Sequence, residues 1–126
     1  MSGQPSSIAG IILAAGMSTR FGGNKLLADY QRRPIIRWVA EAALASQLTQ
    51  ILVVLGHQAV AVGDALADLP IDTVVNQDYQ QGQSTSVIAG LKAVQTNYSA
   101  AMYLMGDQPL IETAIIDELI AAYVKS

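Results

Sequence analysis

Apolar positions along this chain fall into two alternating kinds of run. Residues 8–13 and 50–55 are short, nearly continuous apolar stretches rich in β-branched side chains. Such runs suit strands buried on both faces, as in a parallel sheet. Residues 71–75 and 100–105 read the same way. Between them the apolar spacing turns helical. Pro34 suits the first turn of a helix, and Ile35, Ile36, Val39, Ala42, Ala43 and Leu44 then place apolar groups on one side. Residues 60–69 predict a shorter helix stopped near Pro70. Ser84 or Thr85 can cap a third, with Val87, Ile88, Leu91 and Val94 expected to face inward. A last helix is predicted over 112–124, where Ile115, Ile116, Leu119, Ile120 and Tyr123 form a stripe at helical spacing.

The resulting β-α-β-α-β-α-β-α order implies α/β architecture: a parallel sheet with right-handed crossovers and helices on both faces. In such sheets ligands sit beyond the carboxyl ends of the strands. The loops after Leu13, Leu55, Val75 and Met105 are therefore the places to look. Residues 8–126 are expected to form one domain, with residues 1–7 as a loose, small and polar tail.

Composition narrows the function classes. Hydrophobic residues make up 52% and charged residues 13% of the 126 positions, enough to fill a core and too few charges for a disordered chain. A net charge of −3 argues against a nucleic-acid surface, which needs a basic face. The absence of cysteine excludes disulfides and thiolate metal sites and agrees with a reducing compartment. No apolar run approaches the roughly 18 residues of a membrane span. The cytoplasm is the expected location.

The loop after the first run reads Leu13-Ala14-Ala15-Gly16-Met17-Ser18-Thr19-Arg20-Phe21-Gly22-Gly23-Asn24-Lys25. Small residues at 14–16 let a ligand approach the backbone, and N–H groups of a glycine-rich turn can converge on phosphate oxygens. Arg20 offers a planar fork of donors and Lys25 a point charge. The P-loop spacing and the dinucleotide Gly-x-Gly-x-x-Gly fingerprint are both absent. A surface loop with two solvated charges is the alternative. After the third run, residues 76–86 are rich in amides and hydroxyls. They suit either the edge of a base or an ordinary capped helix start. Met105-Gly106-Asp107-Gln108-Pro109 follows the fourth. Asp107 there can hold Mg²⁺, an ion that takes oxygen ligands and keeps waters and substrate phosphates, or it can close a turn. His57 is expected to cap or pack rather than catalyse. Arg32, Arg33 and Arg37 read as a solvated cluster, and Trp38 and Tyr123 as core or interface.

Leu-Ala-Ala-Gly-x-Ser-x-Arg-x-Gly-x-x-Lys resembles the signature of nucleotidyltransferases of molybdenum-cofactor type, the MobA-like NTP transferases. Their superfamily, the nucleotide-diphospho-sugar transferases, includes the sugar-nucleotide pyrophosphorylases. The resemblance implies a Rossmann-like three-layer α/β/α sandwich with a mainly parallel sheet. It implies that Leu13, Ala14, Ala15, Gly16 and Ser18 lie against the nucleotide and that Arg20 and Lys25 grip its triphosphate. The Asn…Gly-x-Ser-x-Ser stretch is similar to the family's base-recognition segment, which carries over to Gly82, Ser84 and Ser86. Gly-Asp-Gln-Pro resembles the metal-binding motif of the cytidylyltransferase branch, so Asp107 is implied to hold Mg²⁺ and CTP is favoured over GTP. The implied reaction transfers CMP from CTP to molybdopterin with release of pyrophosphate. Another acceptor such as a sugar phosphate, GTP in place of CTP, and a nucleotide-binding module without turnover remain alternatives. The resemblance spans about the first two-thirds of the family's usual length. A chain truncated at its C-terminus, an uncovered sheet edge and a homo-oligomer or partner that covers it are thus further expectations.

Overall fold

A computed structural model describes residues 7–16, 25–94, 98 and 100–125. The expected tail, apart from Ser7, lies outside them, as do Ser18 and Arg20. Four strands form one sheet: β1 (Ile8–Ala14), β4 (Gln50–Leu55), β5 (Asp72–Val75) and β6 (Ala100–Met105). Their order is β5-β4-β1-β6, and every pairing is parallel. The central β1 is buried at all of its positions, as its unbroken apolar run predicts.

Alternation along β1 and β4 divides the core in two. Ile8, Ile12, Ala14, Ile51, Val53 and Leu55 pack in one cluster with Ile36, Val39, Val62, Ile116 and Ile120. These come from helices α1 (Ile35–Ala45), α2 (Ala59–Ala65) and α4 (Thr113–Lys125). Ile11, Leu13, Ala15 and Val54 pack on the opposite side with Val87 and Ala89 of helix α3 (Gln83–Ala93). The result is the expected three-layer α/β/α arrangement with a parallel sheet, three helices on one face and α3 on the other.

Several local expectations need correction. Pro34 lies one residue before α1 rather than in its first turn. It belongs to a small antiparallel hairpin, β2 (Asp29–Tyr30) and β3 (Arg33–Pro34), which sequence reading did not foresee. Gln31 and Arg32 turn it with positive φ. The second helix ends at Ala65, and turns carry the chain on to Leu69.

Neither Ser84 nor Thr85 caps α3; Gly82 does, at a φ of 116° that an L side chain rarely adopts. Nor do Ile88 and Leu91 face inward: both are about half exposed. The buried positions of α3 are Ser86 and Gly90. A Cβ on Gly90 would stand 2.7 Å from Ile11 Cγ2, so the helix rests on the sheet through its smallest residue. In α4 only Ile116 and Ile120 of the expected stripe are buried, while Ile115, Leu119 and Tyr123 are exposed. The arginine cluster is also more structured than a solvated patch. Arg37 bonds Glu41, Asp68 and the Ala65 carbonyl, and Arg33 pairs with Glu41.

Candidate functional site

The carboxyl ends of β1 and β6 stand side by side, Leu13 beside Met105 in register. Gly106 extends that pairing, its N–H donating to the Leu13 carbonyl at 3.0 Å. A Cβ there would meet Leu13 O at 3.0 Å and Ile36 Cδ1 at 2.9 Å. Glycine therefore lets the turn close against β1, and the next residue, Asp107, is delivered to the sheet's rim. On the other side of β1 the loops are tied by His57 N–H to Ala15 O at 3.0 Å and Asn76 N–H to Leu55 O at 2.7 Å.

A cavity of about 230 Å³ opens at this rim. The structure brings Leu13, Ala14, Ala15, Gly16, Lys25, Ser86 and Asp107 to its wall. Gly16 is exposed, and no atom of the described residues comes within 4 Å of where its Cβ would stand. Lys25 begins a short 3-10 turn whose next residue, Leu26, is buried in the core, so an exposed cation is anchored by an apolar neighbour. Gly82 and Ser84 are not part of the wall. Gly82 instead shapes the start of α3, and Ser84 is exposed. Tyr79, Gln83 and Met105 line the cavity without having been singled out from sequence. For Gln83 the signal was its place between the two carried-over positions. Tyr79 and Met105 offered none beyond their proximity to strand ends.

Asp107 is half-buried, and its Oδ1 is fully enclosed with no hydrogen-bond partner among the described residues. A buried acceptor left unpaired costs about 1–3 kcal/mol and in native proteins usually answers to an ion, water or ligand. A cation binding to that oxygen fits this orphan. No cluster of three His, Cys, Asp or Glu occurs among the described residues. The donor set therefore suits a hard ion that keeps waters and phosphate oxygens, not a closed protein cage.

Two side chains, Asn76 and Thr85, hold the 76–86 loop. Asn76 is buried, its Nδ2 donates to Thr85 Oγ1 at 2.8 Å and Ser86 Oγ at 2.9 Å, and its Oδ1 accepts from Asp78 N–H at 3.0 Å. His57 packs its ring 6.0 Å from that of Tyr79 and does not line the cavity. Trp38 donates its indole N–H to Tyr30 O at 2.6 Å under the Arg33 guanidinium, away from the cavity wall.

Comparison with known proteins gives a consistent picture. The family model described as MobA-like NTP transferase domain matches residues 10–126. The bifunctional protein GlmU of Anaeromyxobacter sp. (strain K) is 32% identical over 121 residues, covering 91% of this chain and 25% of that protein. Nicotine blue oxidoreductase of Paenarthrobacter nicotinovorans is 34% identical over 118 residues, covering 92% of this chain and 57% of that protein. Among solved structures, Rv0371c from Mycobacterium tuberculosis H37Rv superposes with a TM-score of 0.84 at 28% identity, covering 98% of this chain and 63% of that one. The same mycobacterial protein in complex with manganese gives 0.80 at 27% identity, covering 95% and 61%. The chain thus spans a quarter to under two-thirds of the length of these relatives.

Proposed function

We propose, since this chain belongs to the MobA-like NTP transferase domain family, that its rim cavity binds a nucleoside triphosphate with a divalent cation for nucleotidyl transfer. CTP is the favoured nucleotide, on the resemblance of Gly106-Asp107-Gln108-Pro109 to the cytidylyltransferase motif. The acceptor would be molybdopterin or another phosphorylated small molecule, and the reaction would take place in the cytoplasm. The observation that carries this reading is the shared wall. A glycine-ended backbone turn, the Lys25 cation and Asp107, one of whose carboxylate oxygens is unpaired among the described residues, line one cavity at the carboxyl edge of a parallel sheet.

In this reading the small side chains of Ala14, Ala15 and Gly16 let the nucleotide lie against the backbone, with Leu13 beneath it. Ser18 and Arg20, outside the described residues, would complete the turn, Arg20 on the departing pyrophosphate. Gly82 and Ser84 would shape the base side of the site, and Ser86 would reach into it. Lys25 would oppose the negative charge that builds at the α-phosphate. An oxygen of the acceptor phosphate forms a bond to the α-phosphorus while the bond from that phosphorus to the bridging α–β oxygen breaks, and pyrophosphate leaves. The attacking oxygen is already anionic, so no side chain need remove a proton. What the chain supplies is orientation and preorganised positive charge. Asp107 would hold Mg²⁺, which when bound neutralises phosphate charge; the manganese complex of the mycobacterial relative supports a divalent ion.

Calorimetric titration with CTP and GTP in the presence of Mg²⁺, followed by pyrophosphate release with a candidate acceptor, tests the proposal. Lys25→Ala is expected to lower turnover by about 10²- to 10³-fold, as when one preorganised donor is lost. Unchanged triphosphate affinity and turnover in that variant would remove Lys25 from the site.

A further inference from the structure

Ser86 and Asn76 are the two buried polar residues among the described ones, 4% and 6% exposed, and Ser86 lines the cavity. Their hydrogen bond has a direction. An amide nitrogen only donates, so Asn76 Nδ2 at 2.9 Å makes Ser86 Oγ an acceptor on that side. Both amide hydrogens of Asn76 are committed, the other going to Thr85 Oγ1. The amide cannot simply rotate by half a turn, because its Oδ1 accepts the Asp78 N–H.

The Ser86 hydrogen then has to go elsewhere. A serine inside a helix commonly returns it to the carbonyl four residues back, here Gly82. That oxygen already receives the Thr85 N–H at 3.1 Å and lies 2.7 Å from Thr85 Oγ1, whose one hydrogen it shares with the Asp78 carbonyl at 3.0 Å, and Ser86 Oγ makes no hydrogen bond to it. No hydrogen bond donated by Ser86 Oγ occurs among the described residues. The side chain is buried, and the open direction left to it is the cavity.

We propose that Asn76 is a positioning residue that fixes the Ser86 hydroxyl as a hydrogen-bond donor toward the cavity, where it reads an acceptor atom on the nucleotide's base, a carbonyl oxygen or a ring nitrogen. The inference rests on the nucleotide site proposed above and adds to it a polarity: at this point the site rewards an acceptor and penalises a donor. A buried donor facing another donor leaves both unpaired, and such mismatches discriminate more strongly than a lost contact.

Asn76→Asp tests this by reversing the polarity at constant shape. The carboxylate keeps an acceptor for the Asp78 N–H but draws the Ser86 hydrogen back onto itself. With the wild-type chain, Mg²⁺ and CTP in a calorimeter, Ser86→Ala and Asn76→Asp are each expected to weaken binding about tenfold, the scale of one hydrogen bond. Combining them should give no further loss, because Asn76 acts through Ser86. Ribose 5′-triphosphate, which lacks a base, should bind all variants alike. In turnover the loss should fall on KM for the triphosphate and spare kcat. An Asn76→Asp penalty that persists in the Ser86→Ala background, or that is equal for ribose 5′-triphosphate, would mean added charge or a collapsed loop and would overturn the proposal. If Asn76→Asp does not fold, Ser86→Ala compared on the two ligands still decides, since equal loss on both contradicts base reading. Failure of the wild-type chain to bind either triphosphate would instead refute the nucleotide site itself.

Discussion

Asp107 and Lys25 reach one cavity by different means, and each means is local. Gly106 closes a turn that aims the carboxylate, whereas Leu26 anchors the lysine from within the core. The enclosed Oδ1 of Asp107 leads to a prediction at this scale. Asp107→Asn should cost the folded chain little, since an unpaired acceptor is retained at similar shape. It should nevertheless lower the Mg²⁺-dependent part of CTP affinity by about tenfold or more, as expected for losing a charged ligand to the ion. Titration with and without Mg²⁺ reads that difference directly, and an unaltered Mg²⁺ dependence would contradict it. Residues at strand ends were legible in the sequence because the ligand edge of a parallel sheet is fixed by topology. The roles of Asn76 and Gly82 were not. One depends on hydrogen bonds spanning nine and ten positions, the other on a backbone angle that spacing does not encode.

At the scale of elements, the strands were readable and the faces of two helices were not. The β1 run is apolar throughout and the β4 run from Ile51 onward, and both strands begin where expected. Helices α3 and α4 carry more apolar residues than the chain covers, so hydrophobic spacing alone could not pick the buried side. Packing makes the distinction measurable in α4. Ile116→Ala should destabilise by about 2–5 kcal/mol, while Leu119→Ala, half exposed, should stay within about 1 kcal/mol in the same denaturant titration.

In α3 two effects oppose one another at Gly90. Alanine gains about 1 kcal/mol of helix propensity but sets a Cβ 2.7 Å from the branch of buried Ile11, and overpacking typically costs about 1–3 kcal/mol. Gly90→Ala should therefore lower the midpoint of unfolding; a raised midpoint would show that α3 can shift freely on the sheet. The β2–β3 hairpin escaped notice because Gln31 and Arg32 occupy its positive-φ corner, where Asn-Gly or Asp-Gly is the usual cue.

Arg37 joins α1 to the end of α2. Its hydrogen bond to Asp68 raises its own pKa and holds the Asp68 carboxyl below its ordinary 3.8. A lowered carboxyl pKa contributes stability above the unfolded value and loses it as pH falls through the folded one. The stability gap between wild type and Arg37→Ala should therefore be constant near neutrality and narrow below about pH 3.8. A gap that is flat down to acid unfolding would assign Arg37 to packing and its bond to the Ala65 carbonyl instead.

For the molecule as a whole, the sheet order β5-β4-β1-β6 puts its most buried strand beside the cavity and leaves β5 and β6 at the edges. Alternating strand and helix signals made this class of fold legible in the sequence, since right-handed parallel crossovers leave few arrangements. No helix among the described residues is long and apolar enough to cross a membrane. The chain covers 63% of the mycobacterial structure it resembles, so its reading as a transferase depends on whether the cavity works as a nucleotide site. The most direct measurement is a crystal structure of the chain with Mn²⁺ and a non-hydrolysable CTP analogue, with the ion located by anomalous scattering. The account predicts one strong peak at coordination distance, about 2 Å, from an Asp107 carboxylate oxygen, with the α-phosphate beside Lys25 and the base against Ser86. An ion or a triphosphate bound elsewhere, with Lys25 and Asp107 sharing no ligand, would contradict it.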